Sequence, residues 1–344
     1  MYINIFCIRW LECAIHYTTN IFVYEAAMSN PEIRIGISAC VLGEQVRFDS
    51  GHKASDFVTK ELTNYFSFIP VCPEVAIGLT VPRPAIRLIS HEERLALVET
   101  KDETKDYTQA MFDFSERKVD ELELMKLCGY IVCAKSPTCG MERVKVYKHQ
   151  RADKEGVGLY TATLMRKMPW LPVEEDGRLH DPVLRENFIT RVYCLHDFYQ
   201  SIGDNPTPGK VVAFHSRYKL TLMAHHPQAY RELGRLVAEV KQHPPQYFIE
   251  HYRQGLMDAL KHRASRKNNT NVLMHIQGYF KRALNKEQKV ELAQLIDDYR
   301  TGELPLLAPI TLLKHYIKMY PDAYLQQQHY LSPYPQTLRL RYGL

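Results

Sequence analysis

Ile33-Arg-Ile-Gly-Ile-Ser-Ala-Cys40 is the stretch on which the fold turns, a short apolar run that ends abruptly in a loop. Its length is that of a buried strand, too short for a helix that must bury a face. Tyr65-Phe-Ser-Phe-Ile-Pro-Val-Cys72 and Gly129-Tyr-Ile-Val-Cys-Ala-Lys135 have the same form. Helical patterns lie between them, one around Ser55–Tyr65 and one from Thr104 to Leu127. Strands alternating with helices predict an α/β domain with a parallel sheet, whose ligands bind beyond the carboxyl ends of the strands. Each run is followed by a cysteine-bearing loop, so Cys40, Cys72 and Cys139 become candidates for one site.

A charged segment with Gly and Pro follows, from about 151 to 182, and then the pattern is helical to the end. Asn187–Gln200, Gly209–His225, Pro227–Gln242, Pro245–Arg263, Asn269–Leu284 and Lys286–Thr301 read as amphipathic helices, several opened by Pro or Asn. The expected division is an extension over 1–27, an α/β domain over 28–165, a linker over 166–190 and an all-α domain over 191–344. The extension is apolar, but Arg9 and Glu12 interrupt it, so it predicts no membrane span. The text from Met28 reads like an ordinary cytosolic beginning, and a cytoplasmic location is expected.

With 45% hydrophobic and 24% charged residues, the 344-residue chain is of neither the disordered nor the membrane class. Eight scattered cysteines do not make a disulfide scaffold, and reduced thiols at strand ends invite a metal. The net charge of +5 is unevenly spread. From Arg191 onward there are 21 Lys and Arg against 12 Asp and Glu, while residues 1–190 carry 23 against 27. That asymmetry predicts a polyanionic partner for the second half.

The segments that carry chemistry are Ser38-Ala-Cys-Val-Leu-Gly-Glu-Gln-Val-Arg-Phe-Asp49, Val71-Cys-Pro-Glu-Val75, Gly78-Leu-Thr-Val-Pro-Arg-Pro84 and Ser136-Pro-Thr-Cys-Gly140. Three thiolates suit a soft centre, either zinc or an iron–sulfur cluster. No Cys-x-x-Cys pair of the zinc type occurs, and single cysteines on separate loops fit a larger cuboidal cluster better. Buried packing cysteines are the plainer alternative. Cys133, Cys128 and Cys194 read as core, and Cys7 and Cys13 fall in the extension.

These four segments resemble the thiouracil desulfidase family across about Ile33 to Tyr160, and the second half resembles the YbgA-type helical domain found behind it in tRNA 4-thiouridine desulfidases. The resemblance implies a 4Fe–4S cluster on Cys40, Cys72 and Cys139, with one iron left open, and catalytic roles for Glu74 and Ser136. The implied reaction is non-redox: a thiocarbonyl sulfur meets a Lewis-acidic iron, water replaces it on the ring carbon, and sulfide leaves. Glu74 is then the general base, Ser136 its hydrogen-bond partner, and Asp49 with Arg47 completes the polar shell. The bland readings are a surface carboxylate for Glu74, a turn hydroxyl for Ser136 and a cap of the helix near Ser55 for Asp49. Arg83 either pins its loop or meets a phosphate.

In the helical half two basic stretches stand out, Phe214-His-Ser-Arg-Tyr-Lys-Leu220 and Lys261-His-Arg-Ala-Ser-Arg-Lys-Asn-Asn-Thr-Asn271. Arg217, Lys219, Lys261, Arg263, Arg266 and Lys267 are the expected RNA contacts, with neighbouring aromatics available to stack bases. Thiolated tRNA is the expected partner and substrate. The alternatives are a desulfidase of free thiouracil or another small thiolated base, and a non-catalytic iron–sulfur protein that binds RNA.

Overall fold

The computed structural model describes residues 33–342 apart from 92–93, 149–150 and 204, so the expected extension, with Cys7 and Cys13, lies outside the described residues. The three apolar runs form β1 (Arg34–Ser38), β2 (Ser67–Val71) and β5 (Gly129–Val132), all parallel, with β8 (Val173–Glu175) completing the order β2-β1-β5-β8. β1 is wholly buried after its first residue, as a strand covered on both faces must be. Its two neighbours lie on opposite sides and are reached by separate crossovers. The carboxyl end of β1 is therefore a topological switch point, the place where an open α/β sheet leaves a crevice.

A second sheet, which periodicity does not foretell, has the order β4-β3-β6-β7. It comprises β3 (Ile86–His91), β4 (Arg94–Glu99), β6 (Val144–Lys148) and β7 (Arg151–Gly156). β7 reads Arg-Ala-Asp-Lys-Glu-Gly and is exposed or half-buried along its length, so it carries no apolar signal. The stretch read as linker is built into the fold instead of spanning free. It contributes β8 to the first sheet and begins the long helix α5. Val173, Glu174 and Glu175 are all buried, and two acidic residues disguise that strand in the sequence.

The helices are α1 (Ala39–Leu42), α2 (Pro73–Ala76), α3 (Thr108–Leu124), α4 (Leu159–Lys167) and α5 (Pro182–Ile202), followed by α6 (Pro208–His225), α7 (Pro227–Ala238), α8 (Pro245–Lys261), α9 (Arg266–Tyr279), α10 (Lys286–Thr301), α11 (Leu307–Met319) and α12 (Ala323–Gln326). Their starts follow local chemistry. The Asp181 side chain accepts from Val183 and Leu184, Ser265 caps α9, and Asn285 with Gln288 closes a capping box on α10.

α5 joins the halves. Phe188, Ile189 and Val192 pack with Ile35, Ile37 and Ile131 of the sheet, while Cys194, Leu195 and Phe198 belong to a core shared with Phe214, Tyr252 and Leu260. Tyr334, Leu338 and Leu340 return from the far end of the chain onto the α/β core. A continuous apolar contact of this kind fixes one half against the other. Among the described residues no helix is long and apolar enough to cross a membrane.

Candidate active site

The register of the parallel sheet levels its carboxyl ends. Ser38 is opposite Val71, and Ile37 is opposite Ile131. Cys40, Cys72 and Cys133 follow those ends directly, and the Ser38 hydroxyl accepts from the Cys133 amide at 3.0 Å. Cys40 stands in the single turn of α1, which Gly43 closes in the left-handed conformation. Cys72 occupies the N-cap of α2, and Pro73 sets the first turn that carries Glu74.

The loop bearing Cys139 is held from behind by α4. The Leu159 and Tyr160 amides donate to the Pro137 and Thr138 carbonyls, and the Thr161 hydroxyl donates to the Cys139 carbonyl at 2.6 Å. Such close approach requires Gly158, because a Cβ there would lie 2.4 Å from the Thr138 carbonyl carbon. Three separate elements thereby present Cys40, Cys72 and Cys139 to one cavity of about 430 Å³. The cavity is also lined by Cys133, Glu74, Arg83, Lys53, Arg47, Ser136 and Thr138.

A connected polar network crosses this cavity. Arg83, buried, donates its Nε to Glu74 Oε2 at 3.1 Å, and its Nη2 contacts the same oxygen. The remaining guanidinium hydrogen bonds go to the Val46 and Thr80 carbonyls at 2.9 and 3.1 Å, so Arg83 pins the loops and orients Glu74. The Thr138 hydroxyl donates to Glu74 Oε1 at 2.9 Å. Having one proton to give, it accepts from the Ser136 hydroxyl, 2.9 Å away. The Ser136 oxygen accepts in turn from the Thr138 and Cys139 amides. Ser136, Thr138 and Glu74 thus form a chain of hydroxyls ending on a carboxylate.

Asp49 stands apart. Its carboxylate takes the Gly51 amide at 3.1 Å and meets Arg47 at 3.4 Å, and it does not line the cavity. The hydrogen bond from Gly51 holds it below the usual carboxylate range, and it caps its own turn, not the helix near Ser55. A cavity-lining group that local sequence does not single out is Lys53, held by Asp176 behind it. Lys53 Nζ meets Asp176 Oδ2 at 2.9 Å, and Asp176 Oδ1 accepts from the Ala134 amide. Asp176 is brought here by β8, the strand hidden in the presumed linker.

Cys133 is core by exposure, at 4%, yet it also faces the cavity beside Cys40. The interaction between the two thiols, followed by burial, raises the pKa of Cys40, while it lowers that of Cys133, with Lys53 assisting. Burial raises Cys72 and pushes Cys139 up to about 12. Thiols of this kind remain protonated at neutral pH until a cation enters to stabilise the thiolates. The donor set, soft sulfur in a sheltered crevice, suits an iron–sulfur cluster. Among the described residues no three His, Cys, Asp or Glu side chains converge on the volume of a single ion.

In the helical half the basic residues divide. Arg217 is tied to Asp197 at 3.0 Å and to Ser201, and Arg266 donates to the Tyr299 carbonyl and lies over its ring. Lys219 is half-buried; Lys261, Arg263 and Lys267 are exposed, Lys261 beside Asp258 at 2.7 Å. Phe214 and Tyr218 stack within the core, so they cannot receive bases. Phe280 and Tyr316 are buried too, whereas Tyr279 is exposed and stacked on Tyr324. Burial pushes His215 and His225 down to about 4, and neither carries charge at neutral pH.

Comparison with known proteins divides the chain along the same lines. Residues 35–176 match the family model described as 2-thiouracil desulfurase, and residues 219–335 match that described as Protein of unknown function (DUF1722). The uncharacterized protein YbgA of Escherichia coli (strain K12) is 40% identical over 160 residues, covering 46% of this chain and 94% of that protein. A solved structure titled [4Fe-4S]-dependent thiouracil desulfidase TudS is 27% identical, covers 43% of this chain and 94% of its own, and superposes with a TM-score of 0.34. With 94% of YbgA covered at that identity, the chain belongs to the YbgA family, its helical part carried behind a domain of the thiouracil desulfurase type.

Proposed function

We propose that this protein removes sulfur from a thiolated pyrimidine, 4-thiouridine in tRNA, leaving uridine and sulfide. The observation that carries the reading is the meeting of Cys40, Cys72, Cys139 and Glu74 in one cavity at the sheet's switch point. A 4Fe–4S cluster held by the three cysteines would supply a Lewis-acidic iron for the substrate sulfur. Glu74, oriented by Arg83, accepts a proton from water as its oxygen bonds the ring carbon. The same carboxylate returns protons as the C–S bond breaks, with Thr138 and Ser136 holding it in register. Water and thiocarbonyl give carbonyl and hydrogen sulfide, and no electrons are exchanged overall. Ser136 also accepts the Cys139 amide, which couples the loop of one ligand to the base.

The excess of 21 basic over 12 acidic residues from Arg191 onward favours RNA as the carrier of the base. Free thiouracil is the second reading, since every residue lining the cavity comes from the α/β half. Anaerobically reconstituted protein should release sulfide from tRNA bearing 4-thiouridine faster than from free thiouracil at equal concentration. Preference for the free base would select the second reading, and no sulfide from either would remove both.

A further inference from the structure

A second cavity, of about 510 Å³, opens where the two halves meet. Its charged lining is Arg178, Arg191, Lys261 and Arg263 against Glu174 alone. Arg178 is already committed, to Glu174 at 2.6 Å and Glu142 at 2.6 Å. Arg191, on the buried face of α5, is only 7% exposed, and its Nε finds no hydrogen-bond partner. The two carboxylates whose fields reach it are Glu174, taken by Arg178, and Asp258, taken by Lys261 and Gln254. Burial pushes its pKa down to about 10, and it remains charged at neutral pH. A desolvated guanidinium without a counter-charge is costly unless an anion completes it. Much of the remaining lining is apolar, with Met141, Met165 and Met168 among it.

We infer that this cleft binds a backbone phosphodiester of the RNA substrate, with Arg191 and Arg263 gripping the phosphate and the methionine wall against its sugar. A guanidinium fork matches phosphate oxygens, and a cleft with free cations and an apolar wall suits a nucleotide unit better than a bare ion. The position argues for the same ligand. Met141 lies two residues beyond Cys139, so one loop walls both cavities. The Met141 amide is tied to Glu175 at 3.1 Å and Glu142 to Arg178, which fixes that loop between phosphate cleft and thiols. The inference rests on the RNA reading above and adds where the backbone is held.

The test uses the full chain, anaerobically loaded, and a fluorescently labelled RNA stem-loop containing 4-thiouridine, with binding read by anisotropy across salt. Arg191→Met matches the methionine lining and removes a buried unpaired charge, so it should fold, with thermal unfolding as the check. Arg263→Gln is an exposed change that spares the fold. Arg191→Met should weaken binding about tenfold or more and Arg263→Gln less, each lowering the log–log salt slope by roughly 0.7–0.9. Parent binding with neither variant altered in affinity or slope overturns the cleft while leaving the RNA reading intact. Absence of RNA binding by the parent overturns both. Uridine 5′-monophosphate serves as the small-ligand arm. Its binding lost in Arg191→Met while RNA binding is unchanged would assign the cleft to a free phosphorylated metabolite and overturn the backbone role.

Discussion

Replacing Glu74 by Gln removes one charge from a buried pair and keeps its shape, which separates what the carboxylate does for folding from what it does in the reaction. The Arg83 side chain is 3% exposed and that of Glu74 15%, so the substitution leaves a guanidinium buried without its counter-charge. Breaking such a pair costs about 3–5 kcal/mol. Arg83 keeps its bonds to the Val46 and Thr80 carbonyls, which places the loss near the lower end, about 3 kcal/mol. For a chain of 344 residues that is a fall in Tm of about 4 °C. Turnover should fall by about two to four orders of magnitude, the ordinary worth of a positioned general base. Denaturant unfolding and single-turnover sulfide release, both normalised to iron content, read the two effects. The double variant Glu74→Gln/Arg83→Met leaves neither charge behind, so its stability loss should be smaller than the sum of the single losses by about 0.5–3 kcal/mol. Its turnover should stay at the Glu74→Gln level. Normal turnover by iron-replete Glu74→Gln, or turnover rescued together with stability in the double variant, would place Glu74 in the scaffold and out of proton transfer.

Cys40→Ala, Cys72→Ala and Cys139→Ala should each lose most of the iron, whereas Cys133→Ala should retain about four per chain, as a cuboidal cluster on three thiols requires; iron and sulfide analysis decides it. Ser136→Ala strips an acceptor from the Thr138 and Cys139 amides, with an expected cost of about 1–3 kcal/mol and a smaller turnover loss than Glu74→Gln, read by urea unfolding and sulfide release. His215 and His225 are held neutral in the fold at about 4 against 6.5 when free, so the unfolded chain binds more protons between those values. Their contribution is complete above about pH 6.5 and is lost as pH falls toward 4, at up to about 1.4 kcal/mol per pH unit for each histidine. His215→Gln should flatten that acid limb in unfolding curves followed by circular dichroism. Neutralising Arg263 and Lys267 together should weaken tRNA binding and reduce its salt dependence by roughly one counterion per lost contact; an unchanged salt slope would count against them.

The strand-forming runs, the helices after Asn187 and the three cysteines beyond the strand ends were legible because each signal is local: an apolar run, a 3.6-residue period, a capping residue. Val173-Glu-Glu175 was not, since Glu175 is buried against the Met141 amide, 34 residues away, and Glu174 against Arg178, itself tied to Glu142. The same holds for Arg151–Gly156, a polar strand that exists through pairing with β6. Family resemblance supplied Glu74 and Ser136 as candidates, but their connection through the Thr138 hydroxyl and the anchoring by Arg83 depend on loops meeting across the sheet. Asp49 and Asp176 make the contrast plainest. The first is close to Cys40 in the chain and turns away into its own loop, while the second, 136 residues from Cys40, is placed by β8 to hold Lys53, which lines the cavity. Charge counting found a basic half, and only packing distinguished Arg217 and Arg266, spent on internal partners, from Arg191, buried without one. Periodicity and capping act over a few residues, whereas partnership in a low-dielectric interior is decided by which distant elements the sheet order and the course of α5 bring together.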